Sequence, residues 1–232
     1  MKIFLHFFIL SLCFSFMPDI GCKPKGDAVT PKNKNQIMNL KTGKESVAVL
    51  GAGCFWCVEA LFQDVKGVID VESGYSGGFV ENPTYEQVCT KQTGHAEVVK
   101  ITYDSTVVTY EQLLELFFQV HDPTTLNQQG VDEGPQYRSA IFYQNEDERN
   151  IAKNVMKKAQ DWWTSPIVTE ISPLINYYKA ENYHQDYFNL EGDKNPYCTI
   201  VVAPKLYKFR ESFQPMLKDS VAEEVEAKKK KK

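Results

Sequence analysis

The sequence predicts an α+β fold, and two observations support this prediction. Short apolar runs, typical of strands, alternate along the chain with longer segments whose apolar residues recur at helical spacing. Their order is strand, helix, strand, strand, helix, strand, followed by additions. This is the order of a ferredoxin-like split βαβ sandwich with additional loops and helices, in which the helices cover one side of the sheet.

The first half of this pattern begins with a short apolar run at 46–50 that stops at a glycine-containing turn, which predicts a buried strand. Segment 54–64 follows, and its apolar residues are spaced as on one face of a helix. Further strands are expected at 68–71 and 96–103. The loop 75–94 between them is long, and loops of this length in a compact domain are usually functional.

The second half begins with a capping box at Thr109, which predicts the start of the next helix. A second long loop, 121–138, leads into a strand at 139–143. Asn145 has the side chain of a helix N-cap and predicts a third helix. A fifth strand is expected at 167–171.

The N-terminus has the pattern of an export signal. A mostly apolar run, 3–17, is shorter than the roughly 20 residues that a transmembrane helix needs. A glycine directly before Cys22 resembles a bacterial lipoprotein cleavage site, although Asp19 stands where an aliphatic residue is usual. We therefore expect residues 1–22 to direct export, to the periplasm or to a lipid anchor on Cys22 at the cell envelope. Alternatively, Cys22 is an ordinary signal residue or an unmodified thiol.

The rest of the chain divides by composition into three regions. Residues 23–44 are expected to be a flexible linker, 45–212 one folded domain, and 213–232 a solvated charged tail. The net charge of −4 and the lack of a basic stripe argue against a nucleic-acid partner. The sequence has no HExxH or paired CxxC motif, so neither a metal nor a cofactor is expected. The protein is expected to be a monomer.

The most informative residues follow the first glycine turn. Cys54 stands where a strand passes into a helix, and the positive end of a helix favours a thiolate, so the pKa of Cys54 is expected to be lowered. The alternative is a small buried hydrophobic residue. Cys57 lies on the same helical face and could either react with an oxidised Cys54 or belong to the core. Phe55 and Trp56 could be core residues or could form an apolar wall beside the sulfur.

Acidic and phenolic side chains accompany this thiol. Strand alternation places Glu97 on the apolar face of the third strand, where burial would raise its pKa and make it a general acid. A strand-end glutamate that turns into water is the alternative. Tyr85, Asp132 and Tyr137 lie in the two long loops, and each taken alone is typical of a surface or packing residue.

Several motifs in a fixed order resemble those of the A-type peptide methionine sulfoxide reductases. The resemblance covers roughly 47–209 and implies that 45–212 is a methionine sulfoxide reductase domain with a ferredoxin-like α+β fold. The matching motifs are GCFW (53–56), GYSGG (74–78), NPTY (82–85), TGHAE (93–97), HDP (121–123) and QYRS (136–139).

The resemblance implies a complete set of site residues. Cys54 would attack the sulfur of methionine S-sulfoxide, free or in proteins, and become a sulfenic acid. The roles it implies for the other residues are proton donation to the sulfoxide oxygen (Glu97), hydrogen bonding to that oxygen (Tyr85 and Tyr137), ordering of the site (Asp132) and binding of the S-methyl group (Phe55 and Trp56). It implies repair of oxidised proteins, with a thioredoxin or a similar thiol reductant as partner.

Two points depart from the family pattern or stay open. Val131 and Pro135 stand where Asn and Thr are common in the family, which puts the geometry of the Asp132 loop in question. The resolving cysteine varies in the family, and Cys57 and Cys198 are both candidates here. Cys198 is expected in a late loop that could swing over the site, whereas Cys89 is expected to be buried.

Three other functions fit some of the same residues. A general dithiol oxidoreductase could use Cys54 and Cys57, but Glu97 would then have no role. A non-enzymatic surface lipoprotein could carry the same two cysteines as a structural pair. A zinc site could use Cys54, Cys57, Cys89 and Cys198, although their spacing is poor.

Overall fold

The computed structural model describes residues 44–230, apart from the side chain of Asp193. The expected signal segment 1–22, the lipidation candidate Cys22, nearly all of the expected linker and the last two residues lie outside the described residues. No helix within 44–230 combines the length and apolar character that spanning a membrane requires.

The described chain forms eight strands and seven α-helices. The strands are β1 (Glu45–Ala52), β2 (Val68–Ser76), β3 (Ala96–Asp104), β4 (Gln128–Gln129), β5 (Asp132–Glu133), β6 (Ser139–Tyr143), β7 (Glu170–Pro173) and β8 (Tyr177–Lys179). The helices are α1 (Phe55–Gln63), α2 (Tyr85–Cys89), α3 (Tyr110–Val120), α4 (Glu146–Ala159), α5 (Tyr187–Glu191), α6 (Ala203–Ser212) and α7 (Asp219–Lys229).

Six of the strands form one sheet in the order β7-β6-β1-β3-β2-β8, and β4 pairs separately with β5. β1 runs antiparallel to both β3 and β6, and β6 and β7 run parallel. The four central strands and the helices α1 and α3 that connect them form a split βαβ unit. The fold class predicted from the sequence is confirmed.

Apolar side chains cover both faces of the sheet, but unequally. The larger cluster lies on the face of α1, α3 and α4 and takes alternate residues of β1 and β3, such as Leu50, Val99 and Ile101. The smaller cluster lies on the opposite face and centres on Val49 and Phe142. Both faces of β1 and β3 are therefore desolvated, and a polar side chain on either face needs a specific partner.

The helix starts follow the predicted capping residues. The Thr109 hydroxyl accepts a hydrogen bond from the Gln112 N–H (3.2 Å), and the Gln112 side chain accepts one from the Thr109 N–H (2.9 Å). At the start of α4, the Asn145 side chain accepts a hydrogen bond from the Glu148 N–H (3.0 Å). These side chains satisfy amide groups that have no partner within the first helical turn.

Two strands differ from their predicted bounds. β2 continues to Ser76 because it pairs with β3 on one side and with β8 on the other, so the backbone groups beyond 71 have partners. At Gly74 a Cβ atom would lie 2.6 Å from the Tyr178 carbonyl oxygen, so only glycine allows β8 to approach this closely. The fifth strand is Glu170–Pro173 rather than 167–171, since β6 aligns with those residues in parallel register.

The expected solvated tail at 213–232 is a wrong prediction for its described part. Leu217 is 2% exposed and forms a bridge with Val65, and Val225 on α7 is 8% exposed. The prediction counted the charges of this segment and missed two apolar residues that a neighbouring helix can bury. The folded domain therefore extends beyond 212.

An ion pair attaches α6, which directly precedes this C-terminal segment, to the end of α1. The Arg210 guanidinium on α6 donates two hydrogen bonds to the Asp64 carboxylate (2.7 and 3.2 Å), which lies at the end of α1. Both side chains are less than one-fifth exposed. An ion pair of this geometry resists solvent screening, and loss of one partner leaves the other charge buried.

We expect Arg210→Met to lower the free energy of unfolding by roughly 3 kcal/mol, because it leaves the Asp64 carboxylate without its partner. Denaturant unfolding of the wild type, of both single variants (Asp64→Asn and Arg210→Met) and of the double variant would measure this. The double variant should recover part of the loss. Strictly additive single-variant effects would show that the pair does not couple the two segments.

Candidate active site

The turn between β1 and α1 places the first candidate residue, Cys54. Gly53 has φ +91°, and a Cβ atom there would lie 2.6 Å from Cγ of Gln129, so this position requires glycine. Cys54 is the N-cap of α1, and its carbonyl oxygen accepts hydrogen bonds from the N–H groups of Cys57 (3.1 Å) and Val58 (3.3 Å). Cys54 is 9% exposed, so its surroundings are largely dry but solvent reaches it.

The electrostatics of the two thiols differ from the prediction. The pKa of Cys54 is raised above its ordinary 9.0, first by the hydrogen bond with Cys57, then by burial and by the charges of Cys57, Glu97 and Asp132. The pKa of Cys57 is lowered, first by the hydrogen bond with Cys54, although burial opposes this. The prediction of a lowered pKa for Cys54 was wrong because it considered only the helix dipole. Of the two thiols, Cys57 therefore gives up its proton more readily than Cys54.

Glu97 lies beside this pair. It begins β3 on the apolar face, is 2% exposed, and its Oε2 accepts a hydrogen bond from the Phe55 N–H (3.0 Å), the first amide of α1. Burial raises the pKa of Glu97 to about 8, the Phe55 N–H acts in the opposite direction, and the charges of Asp132 and Cys57 raise it further. The alternative of a strand-end glutamate in water is excluded, and the carboxyl holds its proton near neutral pH.

Phe55 and Trp56 are both buried, although neighbours on a helix were expected to point in different directions and at most one needed to be core. The Phe55 ring contacts the rings of Tyr85 (6.5 Å between centroids) and His184 (4.9 Å). The Trp56 indole N–H donates to Nδ1 of His184 (3.2 Å), and its ring stacks on Tyr187 at 3.9 Å. Burial lowers the pKa of His184 to about 4, so its imidazole is neutral and accepts this hydrogen bond. His184 thus orients both aromatic residues.

The two candidate tyrosines lie near the thiol and the carboxyl. Tyr85 begins α2, and its N–H donates to Oε1 of Glu181 (2.8 Å). Tyr137 lies in a 3-10 turn directly before β6. Burial raises the pKa of both hydroxyls, the charge of Glu97 raises both further, and the charge of Cys54 adds to the effect on Tyr137. Both tyrosines therefore stay protonated and are able to donate hydrogen bonds near Glu97.

Asp132 has a partner that the sequence did not indicate. Oδ2 of Asp132 accepts a hydrogen bond from the Tyr197 hydroxyl (2.6 Å), and that hydroxyl oxygen lies 4.0 Å from Sγ of Cys57. The edge of the Tyr197 ring faces Trp56, with 6.3 Å between the ring centroids. Tyr197, His184 and Glu181 all come from the region after β7, and no motif signal identified them. Val131 and Pro135 depart from the family pattern on either side of Asp132, but Asp132 still lies within the site.

The other two cysteines lie elsewhere than expected. Cys198 is fully buried in a π-helical turn, so the prediction of a late loop around it was wrong. The apolar residues that follow it, including Val202 and Leu206, pack into the core and order this segment. Cys89 is exposed at the end of α2, where the prediction was burial, and its thiol interacts with the Tyr85 hydroxyl. Within the described residues no three His, Cys, Asp or Glu side chains form a metal-binding group.

We expect Glu97→Gln to remove a pH-dependent loss of stability. In the wild type the Glu97 carboxyl is protonated in both the folded and the unfolded protein at low pH. Its ordinary pKa is 4.5 and its pKa in the folded protein is about 8, so between these pH values only the folded protein keeps the proton. Stability should fall across this interval by up to about 1.4 kcal/mol per pH unit, because the unfolded state is favoured by ionisation. The variant lacks this slope.

Chemical unfolding at several pH values would compare the two proteins. Other titrating groups, such as His121 and His184, cancel in the difference between them. A wild-type slope equal to that of Glu97→Gln would show that Glu97 is ionised in the folded protein at neutral pH.

The chain is similar to known proteins over most of its described residues. The family model described as peptide methionine sulfoxide reductase matches residues 46–217. The peptide methionine sulfoxide reductase MsrA of Saccharolobus solfataricus is 52% identical over 172 residues, which are 74% of this chain and 97% of the relative. The MsrA of Pasteurella multocida is 47% identical over 171 residues, which are 74% of this chain and 98% of the relative.

Two solved structures resemble the described fold. Mxr1 from Saccharomyces cerevisiae in its reduced form has a TM-score of 0.62 and 32% identity, and the match covers 68% of this chain and 94% of that one. Methionine sulfoxide reductase A of Corynebacterium diphtheriae has a TM-score of 0.58 and 37% identity, with 64% and 76% covered.

Proposed function

The chain belongs to the peptide methionine sulfoxide reductase family, and from this premise we propose how its buried thiols, carboxyls and tyrosines divide the chemistry. The enzyme reduces methionine S-sulfoxide to methionine, which repairs oxidised proteins. The observation that carries the assignment of roles is the hydrogen bond between Glu97 and the Phe55 N–H (3.0 Å). It holds a protonated carboxyl beside the helix start that carries Cys54.

In the first step the sulfur of Cys54 attacks the sulfur of the sulfoxide while Glu97 protonates the sulfoxide oxygen. The hydroxyls of Tyr85 and Tyr137 donate hydrogen bonds to that oxygen as its negative charge grows. The substrate S–O bond breaks and a new S–O bond forms on Cys54, which becomes a sulfenic acid. The substrate sulfur is reduced by two electrons, Cys54 is oxidised by two, and methionine leaves.

The raised pKa of Cys54 requires a base for its thiol proton. We assign this role to Cys57, because its thiol forms a hydrogen bond with that of Cys54 and has the lower pKa of the two. The proton on Cys57 and the proton that Glu97 gives to oxygen balance the step. Glu97 is left as a carboxylate, and it regains a proton before the next cycle.

Phe55 and Trp56 provide the apolar wall for the S-methyl group. Burial of one methyl contributes only about 0.8 kcal/mol, so this wall orients the sulfoxide more than it holds it. Orientation matters because the sulfoxide sulfur is a stereocentre. The stacking of Trp56 on Tyr187 and its hydrogen bond to His184 fix the wall.

Cys57 is also the better candidate for the resolving cysteine. It interacts directly with Cys54, and residues three apart on a helix have Cβ atoms about 5–6 Å apart, which small adjustments bring within disulfide range. Cys198 lies fully buried in the core. Cys57 therefore displaces the sulfenic oxygen from Cys54, which leaves as water, and a dithiol of the thioredoxin type reduces the disulfide.

We propose export for the location of this reaction. The apolar run 3–17 and the glycine before Cys22 support a periplasmic or lipid-anchored enzyme at the cell envelope. The reductant would then act outside the cytoplasm.

Cys54→Ser should abolish reduction of the S-sulfoxide, because a serine hydroxyl cannot form the sulfenic acid. Methionine release from a methionine sulfoxide peptide, with dithiothreitol in excess, measures this, and the unfolding midpoint of the variant checks that it folds. As a control for stereochemistry, the wild type is also assayed with the R-sulfoxide, from which it should release far less methionine. Turnover by Cys54→Ser would refute the assignment of the nucleophile.

Cys57→Ser should separate the two halves of the cycle. Without reductant it should release one equivalent of methionine per enzyme, more slowly than the wild type because serine is a poor base, and it should accumulate sulfenic acid. Cys198→Ser is the matched comparison and should form the Cys54–Cys57 disulfide at the wild-type rate. Peptide mass mapping after one turnover measures both. Accumulation of sulfenic acid in Cys198→Ser instead would make Cys198 the resolving cysteine.

A further inference from the structure

Tyr197 lies between two groups that both change during the cycle. Its hydroxyl donates to Oδ2 of Asp132 at 2.6 Å and lies 4.0 Å from Sγ of Cys57, a distance at which a thiol hydrogen bond forms. Its position is held on two sides. The Tyr197 N–H donates to Oδ1 of Asn195 (2.9 Å), and the edge of its ring packs against Trp56. The three groups therefore form a short chain from sulfur through hydroxyl to carboxylate.

A phenol can accept one hydrogen bond while it donates another. We propose that Tyr197 relays the proton of the Cys57 thiol to Asp132 while Cys57 attacks the sulfenic acid of Cys54. This inference rests on the proposed function, in which the first step leaves a proton on Cys57. It gives Tyr197 a catalytic role and makes Asp132 the proton acceptor of the second step.

The step balances as follows. The S–H bond of Cys57 breaks, and its proton passes to the Tyr197 oxygen while the phenolic proton passes to Asp132. The Cys57 sulfur forms a bond to the Cys54 sulfur, whose S–O bond breaks. The departing hydroxide takes the proton from Asp132 and leaves as water, so both carboxylate and phenol return to their starting states. Cys57 is oxidised and the sulfenic sulfur is reduced.

The surroundings fit the two ends of this relay. Burial raises the pKa of Asp132, while the Tyr197 hydrogen bond and the charge of Lys205 lower it, so the carboxylate is a stronger base than an exposed aspartate. Burial, together with the neighbouring thiols and Asp132, raises the pKa of Tyr197, so the phenol passes a proton without ionising on its own. Both hydrogen bonds of the relay are partly buried, which limits competition from bulk water for the proton.

The titratable groups that face Cys57 come from five elements. They are Cys54 at the start of α1, Asp132 on β5, Tyr197 before the π-helical turn, Lys205 on α6 and Glu97 on β3. Tyr197 contacts both Cys57 and Asp132 through one hydroxyl. Removal of that hydroxyl should therefore break the relay and leave the other charges in place.

The test is rapid mixing of the reduced full chain with excess S-sulfoxide peptide and no reductant. Two rates are followed in the same samples, namely methionine release and formation of the Cys54–Cys57 disulfide by quenched mass analysis. The variants are Tyr197→Phe and Asp132→Asn, because the amide can accept a hydrogen bond but cannot take the proton. Tyr207→Phe, which removes a hydroxyl from an exposed ring on α6, is the matched control.

We expect Tyr197→Phe to slow disulfide formation roughly 100-fold near neutral pH, as loss of a general base does, and to slow methionine release far less, because in that step the Tyr197 hydroxyl only assists ionisation of Cys57. Sulfenic acid should accumulate. The defect should shrink as the pH rises toward that of free thiol ionisation, since Cys57 then loses its proton to solvent. The double variant with Asp132→Asn should be no slower than Tyr197→Phe, because both act on one relay.

Three results would overturn the relay. Wild-type disulfide formation in Tyr197→Phe would remove the need for the hydroxyl. A defect that persists unchanged at high pH would assign Tyr197 a purely structural role. An equal loss in methionine release would place it in the first step. Failure of the wild type to release methionine or to form the Cys54–Cys57 disulfide is a different outcome, since it would reject the proposed function itself.

Discussion

The hydrogen bond from the Phe55 N–H to the Glu97 carboxyl is the constraint on which the site depends. It joins the first amide of α1 to the start of β3, and it gives the buried carboxyl a backbone donor. β1 brings the two elements together, because it leads into α1 and pairs with β3. A Cβ atom on Gly51 would lie 3.1 Å from the Glu97 carbonyl oxygen and 3.3 Å from that of Arg138. Close backbone packing therefore places acid and sulfur together.

The same burial explains why the resting thiol is not the nucleophilic thiolate that a helix start suggests. A helix terminus contributes about half a charge, whereas burial and the nearby acids act on the whole charge of a thiolate. The hydrogen bond between the two thiols acts in opposite directions, since it raises the pKa of Cys54 and lowers that of Cys57.

A supporting layer from the C-terminal half holds the reacting groups in place. Glu181 accepts hydrogen bonds from the Tyr75 hydroxyl (3.0 Å) and the Tyr85 N–H (2.8 Å) and so ties α2 to β2. His184 orients Trp56, and Arg210 holds the far end of α1. None of these residues touches the proposed path of the oxygen atom. Their contribution is preorganisation, which lets weak methyl binding still select one sulfoxide geometry.

By itself the sequence determined the fold class, the helix starts and the position of the thiol. Alternating and helical periodicities follow from local backbone geometry, and the side chains of Thr109 and Asn145 cap helices whatever surrounds them. The glycine turn before Cys54 and the alternation that places Glu97 on an apolar face also follow from neighbouring residues in the sequence. The family motifs then supplied roles for Tyr85, Tyr137 and Asp132 that no local pattern could have supplied.

The tertiary structure alone decided how those groups interact. The effect of Glu97 and Asp132 on the pKa of Cys54, the contact of Tyr197 with Asp132, the burial of Cys198 and the exposure of Cys89 all depend on residues far apart in the chain. The packing of Leu217 and Val225 against the domain has the same origin. Desolvation and charge interactions depend on distance in space, and a sequence pattern records only distance along the chain.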